Sequence, residues 1–319
     1  MMQHEFRIDA SDGTALHAYH WPTEAPPKAL LMIAHGMAEH AGRYARLAES
    51  LNAAGYGVYA IDQRGHGLTA QHGVLGHYAD EGGWSKVVGD LASLNHHIRQ
   101  QHPQAPIFLL GHSMGSYIGM AYLMQHSCSL QGAILSGSNY QPLPLYKAAS
   151  LITRLERWRL GPTGRSRLID FLSFGSFNKA FKPNRTGFDW LSRDPVEVDR
   201  YVTDPLCGFV CTTQLWCDLM DGFQQITPVR NLAQIDADLP LLVIGGDRDP
   251  VSQSKRLGHL AGALRTAGIR DVELKIYPDA RHELLNESNR DEVTHYLRDW
   301  LERTLVRSRS CATPIEEPV

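Results

Sequence analysis

The sequence predicts an α/β fold, a mostly parallel twisted sheet flanked by helices, with a helical block inserted into it. Three observations carry the prediction. Short continuous apolar runs, such as Ala29–Ala34 and Ile107–Leu110, have the length and character of strands covered on both faces. These runs alternate with longer stretches whose apolar residues recur at helical spacing, the pattern of a parallel sheet built from βα units. The alternation stops near residue 139 and resumes near 226, as an insertion into one layout would make it do.

In chain order, residues 5–9 and 15–21 are expected to form two short strands joined by the turn Ser11-Asp12-Gly13. The Pro-rich segment Pro22 to Pro27 is a loop. Ala29–Ala34 is a central strand ending in His35-Gly36-Met37-Ala38-Glu39-His40. A helix carrying Leu47, Leu51 and Ala54 on its inner face closes at Gly55, and Val58–Ile61 is the next strand. It leads into Asp62-Gln63-Arg64-Gly65-His66-Gly67, too polar and Gly-rich for a core element and read as a structural loop. From Trp84 to Gln100, the residues Val87, Val88, Leu91, Leu94 and Ile98 mark an amphipathic helix. Ile107–Leu110 is a strand, Ile118 to Met124 the apolar face of the following helix, and Ala133–Leu135 another strand. After the insertion come a strand at 241–244, a helix over 252–267, a strand at 272–277 and a last helix near 287–304. The division is therefore a core of residues 1–138 and 226–306, a helical cap of 139–225, and a tail of 307–319 predicted to be disordered because it has little to bury.

Composition narrows the function classes. Hydrophobic residues at 43% and charged residues at 20% describe a globular chain with ample core, and a net charge of −3 argues against a general nucleic-acid binder. The five cysteines cannot all pair and their spacings match no zinc pattern, so reduced thiols are expected. Cys207, Cys211 and Cys217 are read as small buried apolar residues. Met1 to Arg7 contains no apolar signal core, and no apolar run approaches the ~18 residues that span a bilayer. A cytoplasmic protein is the expectation, with peripheral contact to a membrane left open.

The chemistry is concentrated in Gly111-His112-Ser113-Met114-Gly115, which sits between a strand and a helix. A Gly-x-Ser-x-Gly turn in that setting is a nucleophile elbow: the serine occupies a strained tip, and side chains two before and two after would collide with neighbouring chain. A serine hydroxyl is a poor nucleophile at neutral pH and needs a base and an orienting acid. Both follow in the order Ser, Asp, His. Strand 241–244 ends in Gly245-Gly246-Asp247-Arg248-Asp249-Pro250-Val251, and strand 272–277 ends in Pro278-Asp279-Ala280-Arg281-His282. The C-terminal ends of parallel strands are where ligands bind in open α/β sheets. Asp247 and Asp249 compete for the acid. Developing oxyanion charge calls for two backbone amides, that of Met114 after the serine and that of Met37 in the loop after the earlier strand.

These motifs resemble the monoglyceride lipase and lysophospholipase group of α/β-hydrolases, a family also labelled serine aminopeptidase-like. The resemblance rests on His35 to Tyr44, Asp62 to Gly67, Gly111 to Gly115, Asp249-Pro250-Val251, the histidine loop, and Val198 to Leu206 within the insertion. It covers about residues 5 to 305. It implies Ser113, Asp249 and His282 as catalytic residues, with Asp249 preferred over Asp247, and Met37 and Met114 as oxyanion donors. It further implies a polar head-group pocket lined by Glu39, Arg43, His112 and Tyr201. Glu39 and Arg43, four apart at a helix start, equally suit a structural ion pair, and His112 equally suits a brace for the elbow. The expected substrate is a small lipid ester, a monoacylglycerol first and a lysophospholipid second, with no metal or organic cofactor. A carboxylesterase on non-lipid esters, an acyltransferase, a peptidase or a non-catalytic binder are the rivals.

Within the insertion, Leu145, Ala148, Ala149, Ile152, Leu155 and Trp158 are spaced for one helix face, with Lys147, Arg154, Arg157 and Arg159 around them. Two expectations stand for this helix. Its apolar face packs over the site with the basic face in water, or the helix touches lipid aggregates.

Overall fold

The computed structural model describes residues 2–253 and 255–311. Eight strands form one sheet among them: β1 (His4–Asp9), β2 (Ala15–Trp21), β3 (Ala29–Ala34), β4 (Tyr56–Ile61), β5 (Ile107–His112), β6 (Gly132–Ser136), β7 (Leu241–Gly246) and β8 (Val272–Tyr277). Their spatial order is β1-β2-β4-β3-β5-β6-β7-β8. β2 runs antiparallel to both neighbours, and every pairing from β4 to β8 is parallel.

The apolar runs are explained by two hydrophobic layers. On β3, Leu30, Met32 and Ala34 face one core and Leu31 and Ile33 face the other. The first core is closed by α2 (Gly83–Gln101) and α3 (Met114–His126), through residues such as Val87, Leu91, Ile98 and Ile118. The second is closed by α1 (Ala45–Ala53), with Leu47 and Leu51, and by the C-terminal helix, with Leu297 and Trp300. A strand buried on both sides has no polar alternation to display, which is why these segments read as unbroken apolar runs.

Between β6 and β7 lie α4 (Leu143–Leu160), α5 (Arg167–Leu172), α6 (Phe174–Phe177), α7 (Pro195–Thr203), α8 (Thr213–Ile226) and α9 (Val229–Leu232). After β7 come α10 (Lys255–Thr266) and α11 (Arg290–Cys311). α10 starts later than the expected 252 because the chain first turns tightly, with the Val251 amide donating to Asp249 Oδ1 at 2.8 Å and the Gln253 amide to Asp249 O at 2.8 Å. α11 continues through Cys311, and the remaining tail residues 312–319 lie outside the described residues.

α4 departs from the expectation that its apolar face packs over the site. It lies along α8 with Tyr146, Ser150, Thr153 and Glu156 inward, while Leu145, Leu151, Ile152, Leu155 and Trp158 face water. Close approach of two helices is served by small side chains, and Ser150 and Thr153 are satisfied locally: the Thr153 hydroxyl donates to Ser150 O at 3.0 Å. Glu156 is held by Arg159 and the Ser166 hydroxyl. The apolar stripe therefore does not cover the core.

The polar loop 62–67 is structural, as expected. Asp62 accepts from the Ala41 and Leu68 amides at 2.8 and 2.7 Å. Arg64 makes a two-pronged pair with Asp90 at 2.7 and 2.6 Å and reaches Asp12 at 3.0 Å. Among the described residues no helix is long and apolar enough to cross a membrane.

Candidate active site

The sheet delivers four loops to one end. They follow β3, β5, β7 and β8, all neighbours or near neighbours in the parallel part of the sheet, and all leave by the C-terminal edge. Ser113 stands between β5 and α3 at φ +50° and ψ −118°, a conformation that side chains rarely adopt. Its flanking glycines show why the turn is possible. A Cβ on Gly115 would lie 2.0 Å from Ala34 O, and one on Gly111 would lie 2.5 Å from Gly115 O. The Ser113 amide is spent on Ser136 O at 2.8 Å. Met114 is the first residue of α3, so its amide has no partner within the helix.

The loop after β3 is held in place from several sides. The Gly36 amide donates to Glu39 Oε1 at 2.5 Å, and Ala38 takes φ +54°. Ala38 O accepts both the Tyr201 hydroxyl, at 2.9 Å, and the Gly208 amide, at 2.9 Å. Among the described residues the Met37 and Met114 amides meet no protein acceptor. Amides left free at the ends of rigid elements are the means by which an oxyanion is held.

Asp249 and His282 meet with Oδ2 to Nδ1 at 3.0 Å, the carboxylate 1% and the histidine 3% exposed. Asp247 is exposed and takes no part. Burial lowers the basicity of His282, but the charge and hydrogen bond of Asp249 outweigh it, and the net shift is upward. Burial pushes the Asp249 carboxyl up, yet the His282 charge and hydrogen bond and the Val251 amide leave it below its ordinary value. A proton on Nδ1 directed at Asp249 leaves Nε2 free as an acceptor. Ser113 and His282 line one cavity of about 150 Å³. The insertion supplies much of its wall through Phe174, Phe188, Trp190, Leu191 and Phe209, with the Asp170 carboxylate at its edge.

The expected head-group residues divide. Glu39, His112 and Tyr201 line this cavity, whereas Arg43 lines an adjacent crevice with Glu283 and Asn286. Arg43 is enclosed between two carboxylates, with Glu39 Oε2 at 2.6 Å and both oxygens of Glu283 at 2.7 Å. Glu39 Oε1 also accepts the Tyr44 hydroxyl at 3.0 Å. The Tyr201 hydroxyl is spent on Ala38 O, and its ring lies 4.9 Å beneath the Arg43 guanidinium. For Glu39, Arg43 and Tyr201 the polar atoms are thus committed to the protein, which is the structural ion-pair reading extended to a second carboxylate. His112 differs. Its ring lies 4.8 Å from that of His282 and makes no hydrogen bond to a described protein group. Burial, then the neighbouring His282, pushes it down to about 4, so it is neutral near pH 7.

Sequence reasoning missed Glu283 and Trp190. Glu283 directly follows His282, and its adjacency was the one available signal. Its amide donates to Leu191 O at 2.8 Å, which ties the histidine loop to the insertion. The Trp190 ring lies 5.0 Å from that of His282, tilted by 38°, from a segment with no periodic pattern to expose it.

Residues 25–289 match the family described as serine aminopeptidase S33. A monoacylglycerol lipase of Mycolicibacterium smegmatis is 31% identical over 88% of this chain and 90% of its own length. The human monoglyceride lipase is 28% identical over 95% of this chain and 92% of its own. A thermostable carboxyl esterase from Bacillus coagulans, solved in complex with glycerol, superposes with a TM-score of 0.88 at 26% identity, covering 96% of this chain and 99% of that one.

Replacing Arg43 by Met leaves Glu39 and Glu283 buried without their cation. Breaking one side of a buried ion pair costs about 3–5 kcal/mol, and urea unfolding of Arg43→Met should show a loss of that size. A change below about 1 kcal/mol, the scale of an exposed pair, would contradict the assigned role.

Proposed function

This chain belongs to the serine aminopeptidase S33 family of hydrolases, and from that membership we propose that it is a serine carboxylic-ester hydrolase acting on monoacylglycerols. The observation that carries the reading is the buried Asp249–His282 hydrogen bond beside a cavity that also contains Ser113. The family label names a peptidase. The ester reading is favoured because the relatives that match along nearly their whole length are monoacylglycerol lipases.

In the proposed reaction Ser113 Oγ attacks the ester carbonyl as His282 Nε2 takes its proton. Asp249 keeps the ring in the required tautomer and stabilises the imidazolium. The Met37 and Met114 amides hold the oxyanion, each such donor being worth about 3 kcal/mol of barrier. His282 returns the proton to the departing alcohol, and an acyl-Ser113 ester remains. Water, deprotonated by His282, attacks that ester and releases the fatty acid. His112, neutral and without a protein partner, offers the alcohol portion one donor and one acceptor.

We assign residues 139–225 the role of a cap. It covers Ser113 with the aromatic wall and grips the oxyanion loop through Tyr201 and Gly208. Its exposed face carries Leu151, Leu155 and Trp158 on α4 and Phe171 and Leu172 on α5, flanked by Lys147, Arg154, Arg157 and Arg159. An apolar patch ringed by bases suits contact with an anionic lipid surface.

A second reading is a carboxylesterase of short esters. The size of the cavity favours it, because about 150 Å³ is below the ~300–1,000 Å³ usual for larger ligands. Hydrolysis of monoacylglycerols, lysophospholipids and short-chain esters, compared as kcat/KM, separates the two. The monoacylglycerol reading expects the highest value for a monoacylglycerol, and a peak at short esters of simple alcohols would replace it. Ser113→Ala should abolish turnover of all of them. Asp249→Asn should lower kcat/KM by roughly 10⁴-fold and move the acid limb to lower pH, because the largest influence opposing the burial of His282 is then removed.

The triple variant Leu151→Ser/Leu155→Ser/Trp158→Ser should lose at least about tenfold in binding to anionic phospholipid vesicles while keeping its turnover of a short soluble ester. Equal vesicle binding by parent and variant would remove the membrane-contact role.

A further inference from the structure

We infer that His40, Asp204 and Cys207 form a binding site for a divalent cation of the zinc class, at the seam between the loop after β3 and the connection from α7 to α8. One ligand atom from each residue lies within 4.8 Å of the other two. His40 Nε2 and Asp204 Oδ2 are 2.9 Å apart. Zinc bonds of about 2.0–2.3 Å place tetrahedral ligands roughly 3.3–3.8 Å from one another, so small side-chain rotations bring the three into range. Imidazole, carboxylate and thiolate are donors zinc accepts. A groove of about 540 Å³ reaches His40 and Asp204 from solvent and supplies both an entry path and water for the fourth position.

The pairing of charges around the seam also points to a cation. Arg43 is spent on Glu39 and Glu283, at 2.6 and 2.7 Å, so the ion-pair partner of Asp204 among the described residues is His40 alone. The other cations of the groove, Arg46 and Arg200, are each paired with Glu197, at 2.7 and 2.8 Å. His40 Nδ1 is buried and has no hydrogen-bond partner among the described residues. Metal on Nε2 would place the ring proton on that nitrogen with no acceptor, which weakens the site relative to one with that proton bonded. Burial keeps the Cys207 thiol protonated. Its proton therefore leaves to solvent as the metal–sulfur bond forms, and no oxidation is involved.

The position gives the ion a mechanical consequence. The Cys207 amide donates to Asp204 O at 3.1 Å, and the next amide, of Gly208, holds Ala38 O at 2.9 Å. An ion joining this turn to His40 fastens the insertion to the loop that carries Met37. The inference stands apart from the ester-hydrolase reading, since it is read by binding alone.

The test uses the full chain with Cys128→Ser and Cys311→Ser, which remove other thiols, titrated with Co²⁺ and then Zn²⁺. One Co²⁺ should bind per chain with a thiolate-to-cobalt charge-transfer band, be displaced by one Zn²⁺, and Zn²⁺ but not Mg²⁺ should raise the melting midpoint. Cys207→Ser should abolish the band. Asp204→Asn should weaken Zn²⁺ binding at least ~100-fold, beyond the ~10–100-fold typical of outer-shell losses. No band in the parent, or a band that survives in Cys207→Ser, overturns the inference. If Cys207→Ser does not fold, the parent's band and its loss of Zn²⁺ affinity in Asp204→Asn decide.

Discussion

The buried guanidinium of Arg43 is the constraint on which the rest of the site depends. It lies between Glu39, in the loop after β3, and Glu283, in the loop after β8. Those loops carry the Met37 amide and His282, so one cation ties together the two loops to which the proposed reaction assigns the oxyanion donor and the base. The arrangement tolerates burial because the one cation serves both carboxylates and each carboxylate has further donors. Glu39 takes the Gly36 amide and the Tyr44 hydroxyl, and Glu283 takes Asn286 at 2.9 Å. Removing water around these charges is costly, and the shared guanidinium together with these hydrogen bonds offsets it.

The insertion takes part in the same structure. It reaches Ala38 through Tyr201 and Gly208, and the histidine loop through Trp190 and Leu191. Tyr201 also stacks beneath Arg43. A movement of this block would therefore be felt by both oxyanion and base loops. Its outer surface carries Leu151, Leu155, Trp158, Phe171 and Leu172 exposed.

The sheet was legible because strands buried on both faces leave unbroken apolar runs, and the site was legible because Gly111 to Gly115, Asp249 and His282 follow the strands in the order the chemistry needs. The head-group residues were less so. The spacing of Glu39 and Arg43 displays their pairing, but Glu283 lies 240 residues from Arg43, and nothing local marks that contact. For α4, periodicity located an apolar stripe without stating which face is covered. Packing against α8 is made by Ser150 and Thr153, whose size matters more than their polarity there. The tail was judged by composition, while helix α11 is carried to Cys311 by the cooperativity of a helix already anchored at Val293, Leu297, Trp300 and Leu301.

The central claim is that Ser113 is a nucleophile activated by His282. It is tested most directly by reaction with a fluorophosphonate, followed by mass spectrometry of the digested protein across pH. The account predicts a single adduct on Ser113, absent in His282→Ala, whose rate of formation rises with pH through a midpoint above the ordinary histidine value of 6.5. An adduct on another residue, or a rate on Ser113 indifferent to pH and to loss of His282, would contradict it.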